Sequence, residues 1–374
     1  MKCLLTVFIT FAVARSALCL DIADSCNDGK CTIAKNCRCS NSPSPLTGKL
    51  DDWPQLISLT FDDAITDDIY NKYLSPLLFN SKNPDNKPIG ATFFVPHEYT
   101  NYQRVNDLYN SGFEIGVNSI SKYFSQKYWR NATADLLVQE FSGQKHILTK
   151  FANIPESSIL GVRTPQLQLA GDNSFQAYVK SKLTYDSSWP SLASRRMFPY
   201  TLDFMSTEEC ILGAKCPKNS YPGFWVLPIN ELSGENGKDC NVISSCTIEG
   251  SSKVISDWLT GQVEDIRNST KIPLTLMIDS GWFNSTENSV DAFKQFMTNM
   301  SLKKDVFFVT QKQVYEWIRN PVKTANFKTE TSTGPVANCD KKKCLVKKDD
   351  DQYTFFICTS CPNKYPWVGN PDGN

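Results

Sequence analysis

Short apolar runs recur along the chain, with amphipathic stretches between them. Eight of them read as strands: Leu56–Phe61, Ala91–Val95, Phe113–Val117, Ile159–Arg163, Thr184–Ser188, Phe224–Ile229, Pro273–Asp279 and Val306–Thr310. Each is short, apolar or β-branched, and bounded by polar or turn residues, the pattern of a strand covered on both faces. Longer segments, Thr133–Phe151, Ser252–Arg267, Ser289–Leu302 and Gln311–Arg319, place their apolar residues at helical spacing. Strand and helix alternating this often predict a parallel α/β fold, and a (β/α) barrel in preference to an open sheet. No G-x-G-x-x-G or Walker loop follows any of these strands, which argues against a nucleotide-binding sheet.

Charge removes two classes of function. The 39 basic and 39 acidic side chains cancel, so the chain lacks the net positive charge of a nucleic-acid binder or a polybasic membrane-surface protein. The first 19 residues read as a secretory signal peptide. Lys2 gives a positive start, Leu4–Ala14 is an apolar run too short to span a bilayer, and Ser16, Ala17 and Cys19 are small residues suited to cleavage. No later stretch approaches membrane-spanning length, so a soluble, secreted, extracellular protein is expected. Removing Cys3 and Cys19 from the 14 cysteines leaves twelve. They form three groups: Cys26, Cys31, Cys37 and Cys39; Cys210, Cys216, Cys240 and Cys246; Cys339, Cys344, Cys358 and Cys361. An even number in a secreted chain predicts disulfides, and Cys358–Cys361 reads as part of that framework in preference to a zinc or thioredoxin motif. The sequons at Asn131, Asn268, Asn284 and Asn299 predict glycosylation. The expected organisation is a Cys-rich segment (20–50), a barrel (51–325) and a Cys-containing tail (326–374). Ser40–Leu50 reads as a linker and Lys341–Asp351 as a charged, solvated loop.

Polar residues stand at the C-terminal ends of the predicted strands, where barrel chemistry gathers. Asp62 and Asp63 follow the first strand, Asn118 follows the third, Arg163 ends the fourth, Asp186 lies in the fifth and Asp279 ends the seventh. A single Asp at such a position can cap the next helix. A ring of them at one mouth points to a site.

These residues sit in recognisable motifs. Leu59-Thr-Phe-Asp-Asp-Ala64, Phe113-Glu-Ile-Gly-Val-Asn-Ser-Ile-Ser-Lys122, Gly161-Val-Arg-Thr-Pro-Gln-Leu167, Tyr185-Asp-Ser-Ser-Trp-Pro190 and Leu276-Met-Ile-Asp-Ser-Gly-Trp-Phe283 resemble, in order, the five motifs of the polysaccharide deacetylases with a NodB homology domain. Ala91-Thr-Phe-Phe-Val-Pro-His-Glu-Tyr-Thr-Asn-Tyr102 and Cys37-Arg-Cys-Ser40 narrow the resemblance to the arthropod chitin deacetylases. It implies a distorted (β/α) barrel of the polysaccharide deacetylase type with disulfide-rich extensions. It also implies a zinc or other divalent metal held by one Asp and two His, a second Asp as base, and a His as acid. The metal lowers the pKa of its water and polarises the amide carbonyl, and the acid protonates the departing amine.

The family pattern puts Asp62 at the base position, Asp63 at a metal-ligand position, and Arg163 beside the base, with Asp186 and Trp189 in the fourth motif. It also shows what is missing. Asn118 and Lys122 stand at the two ligand histidines, and Asp279 stands at the acid histidine. An amide oxygen is a poor zinc ligand, and an ammonium repels a cation and accepts nothing. The Lys122 ammonium is therefore expected where the metal would sit, paired to Asp63, with Asp279 as a second candidate partner. No bound metal or cofactor is predicted. His97 belongs to a stretch ordinary for the relatives, and His146 falls on a helix surface, so neither replaces a ligand.

The resulting expectation is a secreted pseudoenzyme. Trp189, Trp282 and Phe283 would form a groove for chitin or a related N-acetylglucosamine polymer held weakly, or for extracellular matrix proteins. Of the adjacent Trp282 and Phe283, at most one easily faces such a groove. A glycan on Asn284 would lie near it. Two alternatives differ in class: an active deacetylase or glycosidase using an altered site or its paired carboxylates, and a disulfide-stapled matrix component without a sugar site.

Overall fold

The computed structural model describes residues 21–27 and 29–374; the expected signal peptide at 1–19 lies outside them. The strands of the main sheet are β1 (Gln55–Phe61), β2 (Ala91–Val95), β3 (Glu114–Val117), β4 (Gly161–Val162), β5 (Tyr185–Asp186), β6 (Tyr200–Leu202), β7 (Tyr221–Val226), β8 (Leu274–Ile278) and β9 (Val306–Phe308). β1 is buried at every position and pairs in parallel with β2, β8 and β9. The sheet runs β8-β1-β2-β3-β4-β5-β7-β6, with only β6 antiparallel. All eight apolar runs thus overlap main-sheet strands. Most of those strands are shorter than the runs, because the outer residues turn into the loops of the mouth.

Between β7 and β8 the main sheet has no ladder. Asn230 spans this gap with its amide, which accepts from Met197 N at 2.7 Å and donates to Met197 O at 3.1 Å and Pro273 O at 3.4 Å. The barrel is accordingly distorted, as the motifs implied. β4 passes so close to β5 that a Cβ at Gly161 would lie 2.2 Å from the Tyr185 ring, so only glycine fits there.

Among the described residues the helices of six or more residues are α1 (Tyr102–Asn110), α2 (Gln126–Asn131), α3 (Ala134–Phe151), α4 (Asp172–Lys180), α5 (Ser252–Ser269), α6 (Ser280–Ser285), α7 (Ser289–Ser301) and α8 (Gln311–Arg319). Thr133, Ser251 and Thr310 cap α3, α5 and α8 by accepting a backbone N–H in the first turn. Among the described residues no helix is long and apolar enough to cross a membrane.

The twelve cysteines pair within their groups: Cys26–Cys39, Cys31–Cys37, Cys210–Cys216, Cys240–Cys246, Cys339–Cys358 and Cys344–Cys361. Cys358 and Cys361 take different partners, so the C-x-x-C spacing is structural. Two readings need correction. Lys341–Asp351 is not a solvated loop: it contains all of β10 (Lys342–Lys348), which forms a hairpin with β11 (Asp351–Ile357). Ser40–Leu50 is not a free linker. The buried Arg38 guanidinium donates to Ser42 O and Pro43 O, and Trp53 Nε1–H to Thr47 O.

Candidate functional site

β1 delivers Asp62 and Asp63 to the mouth. Arg163, fully buried at the end of β4, holds Asp62: its Nη1 lies 2.9 Å from Asp62 Oδ1. The same guanidinium donates to Thr60 Oγ1 at 2.7 Å, to Ser187 O at 2.6 Å and to Ser187 Oγ at 2.8 Å, and lies over the Phe94 ring at 4.4 Å. A buried guanidinium is costly unless its donors are satisfied, and here carboxylate, hydroxyl, carbonyl and ring share it. Asp62 is thus fixed in place by a permanent cation.

Asp63 accepts the Ser280 N–H at 2.6 Å. Burial pushes its carboxyl up, and Lys122 and that N–H oppose the rise. Asp186 is wholly buried between Ser188 Oγ (2.6 Å) and Ser188 N (3.0 Å). Burial raises its pKa to about 6 despite those bonds and the nearby Arg163. Asn118 is also buried; its Oδ1 accepts from Ser119 Oγ at 3.1 Å, and its Nδ2 has no hydrogen-bond partner among the described residues.

Lys122 reaches the mouth by a different contact from the one expected. Its ammonium donates to the backbone carbonyl of Asp62 and forms no ion pair within 4.0 Å with Asp63 or Asp279. Its backbone is left-handed (φ 41°) and its N–H is held by Ser119 Oγ at 3.0 Å. That geometry brings the stem to the end of β1, where the carbonyl meets the ammonium first. The charge still acts on Asp63 through space.

Asp279 is a helix cap in this chain. Its Oδ1 accepts the Trp282 N–H at 2.9 Å, in the first turn of α6, and its Oδ2 accepts the Ser244 hydroxyl. Ser244, which no motif singles out, lies in a turn closed by Cys240–Cys246. Glu140 likewise lies outside every motif. It is fully buried on α3 and accepts Ile120 N, Ser121 N, Ser121 Oγ and Tyr128 Oη at 3.0, 2.9, 2.6 and 2.9 Å. A carboxylate between Leu137, Phe141 and Gln144 on the buried face of a helix is the signal that could have found it.

The expected groove aromatics lie in the core. Trp189, Trp282 and Phe283 are 1%, 2% and 7% exposed. Trp189 packs against Phe175 and Tyr200 and donates to Glu209 O at 3.0 Å; Trp282 packs edge-on to Phe293; Phe283 stacks on Tyr73 at 5.0 Å. Their area is already removed from water, so they present no platform to a polymer. The sequon residues Asn131, Asn268, Asn284 and Asn299 are all exposed. Asn284 accepts from Lys72 Nζ at 3.3 Å and from the Tyr73 hydroxyl, beside Phe283.

Neither histidine is available to the mouth. His97 is buried with both ring nitrogens engaged, to Tyr102 Oη at 2.7 Å and Pro366 O at 2.8 Å. His146 lies at the surface against Asp372 at 2.9 Å. Among the described residues no three His, Cys, Asp or Glu side chains converge as a metal ion would require. The donor set at 63, 118 and 122 is a carboxylate, an amide bound to a hydroxyl, and an ammonium. It does not fit a zinc ion.

No family model matches the chain. It is 35% identical over 364 residues to chitin deacetylase 8 of Bombyx mori, covering 95% of this chain and 94% of that protein. It is 30% identical over 374 residues to chitin deacetylase 1 of the same organism, covering 94% of this chain and 69% of that protein. Among solved structures, an assigned polysaccharide deacetylase from Mycobacterium smegmatis aligns with a TM-score of 0.47 and 15% identity, over 79% of this chain and 99% of that one.

Proposed function

Since the chain belongs to the chitin deacetylase family, we propose that it is a secreted, catalytically silent member that holds chitin or a related N-acetylglucosamine polymer without hydrolysing it. The observation that carries this reading is the Lys122 ammonium seated on the Asp62 carbonyl beside Asp63. A hydrolytic metal would have to displace a cation and then find a second and third ligand. Asn118 is a weak donor and Lys122 is none.

The other parts of a deacetylation fail for separate reasons. Without a metal, water keeps a pKa far too high to attack an amide at neutral pH. Asp62 is fixed by Arg163, yet a base there has no activated water to serve. At the acid position Asp279 is spent on the first turn of α6 and on Ser244, which leaves no proton donor for the departing amine. Secretion is supported by the six disulfides, which persist only in an oxidising compartment.

The test uses full-length secreted protein incubated with excess zinc and then desalted. We expect less than a tenth of an equivalent of zinc per chain by elemental analysis, no acetate released from chitin oligomers, and retention on chitin beads above a bland glycoprotein control. One firmly held zinc with acetate release would make the protein an enzyme. Absence of bead retention would remove the sugar-binding half of the proposal.

A further inference from the structure

The rings expected to form the groove are buried, but other aromatics near the mouth are not. On the loop after β3, Tyr123 is 46% exposed and Phe124 is 80% exposed. Tyr123 lies between two rings, Phe124 at 5.0 Å and nearly parallel (29°) and Tyr128 at 5.1 Å (52°), so the three make one continuous surface. Exposed rings that touch one another, unlike apolar residues scattered singly, offer a candidate interaction surface.

The shelf is also rigid. Four hydrogen bonds to the buried Glu140 fix Ile120, Ser121 and Tyr128, and Trp129 Nε1–H donates to the Tyr123 carbonyl at 2.6 Å. A loop held this firmly presents its rings at little ordering cost to a ligand. Lys122, the neighbour of Tyr123, ties the same loop to the end of β1 through the Asp62 carbonyl. The shelf therefore continues directly from the mouth.

We infer that Tyr123, Phe124 and Tyr128 form the platform on which this protein stacks a β-linked N-acetylglucosamine chain, with preference for the acetylated, neutral polymer over its deacetylated, cationic form. This rests on the sugar-binding reading above and adds where the polymer lies and which form it takes. Pyranose C–H faces match flat, uncharged rings. The charged side chains of its own loop and of α2, Lys122, Lys127 and Arg130, are all basic and repel a protonated glucosamine, while of the mouth carboxylates beside it Asp62 is paired with Arg163 and Asp63 lies in the field of Lys122.

The test compares wild type with Phe124→Ala and Tyr123→Ala on chitin beads, and on chitosan beads at a pH where the chitosan amines are protonated. Phe124→Trp serves as the conservative control, and thermal unfolding shows that each variant is folded. We expect about tenfold weaker retention of each alanine variant on chitin, unchanged thermal midpoints, retention restored in Phe124→Trp, and wild type several-fold weaker on chitosan. If wild type is retained on chitin and the folded alanine variants are retained equally, the shelf is overturned while the sugar-binding reading stands. Chitosan held as firmly as chitin would overturn the acetyl preference. Wild type that ignores both polymers would bring down the sugar-binding reading, and this inference with it.

Discussion

Asp186 carries a pH signature that a single substitution isolates. Its carboxyl is buried and titrates near 6 in place of 3.8, so between those values the folded chain binds a proton that the unfolded chain has lost. Stability must then fall as pH rises through that window and level off above it. Asp186→Asn keeps an acceptor for Ser188 and removes the titration. Wild type should lose on the order of 3 kcal/mol relative to Asp186→Asn between pH 3.8 and about 6, read from denaturant midpoints of both proteins across that range. A constant difference would mean that Asp186 does not titrate there. At this scale the sequence revealed which residues surround the mouth but not what each one touches. Asp279 reads equally well as a site carboxylate or as a cap, because a strand end followed by a short helix satisfies both patterns. Lys122 was readable as a charge in the metal's place, while its partner was not, because a left-handed backbone and a hydroxyl three residues earlier set its aim. Burial of Trp189, Trp282 and Phe283 was hidden for a similar reason: an aromatic next to a motif looks the same in sequence whether it faces core or groove.

The strands of the barrel were legible because each is apolar throughout and bounded by turns, a pattern that only double-sided burial produces. β10 was not. Cys344 and Val346 point inward at period two, while Lys342, Lys343, Leu345 and Lys347 are exposed, so charge density masked the alternation. β6 was missed because three residues are too few to show any period. The hairpin docks on the barrel directly, with Phe355 against Tyr102 and Phe151 at 5.5 and 5.1 Å and Gln103 Nε2 donating to Lys342 O and Ile357 O, and the short run that follows it docks on His97. Both of its ring nitrogens are bonded, to Tyr102 Oη and Pro366 O, and its ring lies 4.5 Å from Tyr365. Burial drives its pKa down to about 3, so it stays neutral and the docking is insensitive to mild acid. His97→Phe would keep the ring packing and leave the Tyr102 hydroxyl without that partner inside the core, at a cost of about 1–3 kcal/mol. The expected result is a lower thermal midpoint and faster protease cleavage beyond Cys361. Protection equal to wild type would show that the Phe355 and Gln103 contacts hold the tail without His97.

Taken as one body, the molecule holds firmly in place a mouth whose donor set does not fit the zinc that the family resemblance implies. The register that sets Phe61 beside Phe93, and Phe93 beside Ile115, fixes the relative heights of Asp63 and Asn118. Arg163 joins the ends of β1 and β4, and the Glu140 cluster fixes the loop that carries Lys122. If only side chains have changed, this frame should accept a metal once ligands return. Asn118→His/Lys122→His exchanges a weak donor and a repelling cation for two imidazoles facing Asp63, and it frees the Asp62 carbonyl. We expect close to one zinc per chain in the double variant against none in wild type, measured by elemental analysis after desalting. Acetate release from chitin oligomers should stay absent until Asp279→His supplies an acid, even though that change removes the cap of α6 and costs about 1 kcal/mol. A folded double variant that binds no zinc would show that the backbone of the mouth has itself moved away from metal geometry, and the proposed inactivity would then belong to the whole frame rather than to three side chains.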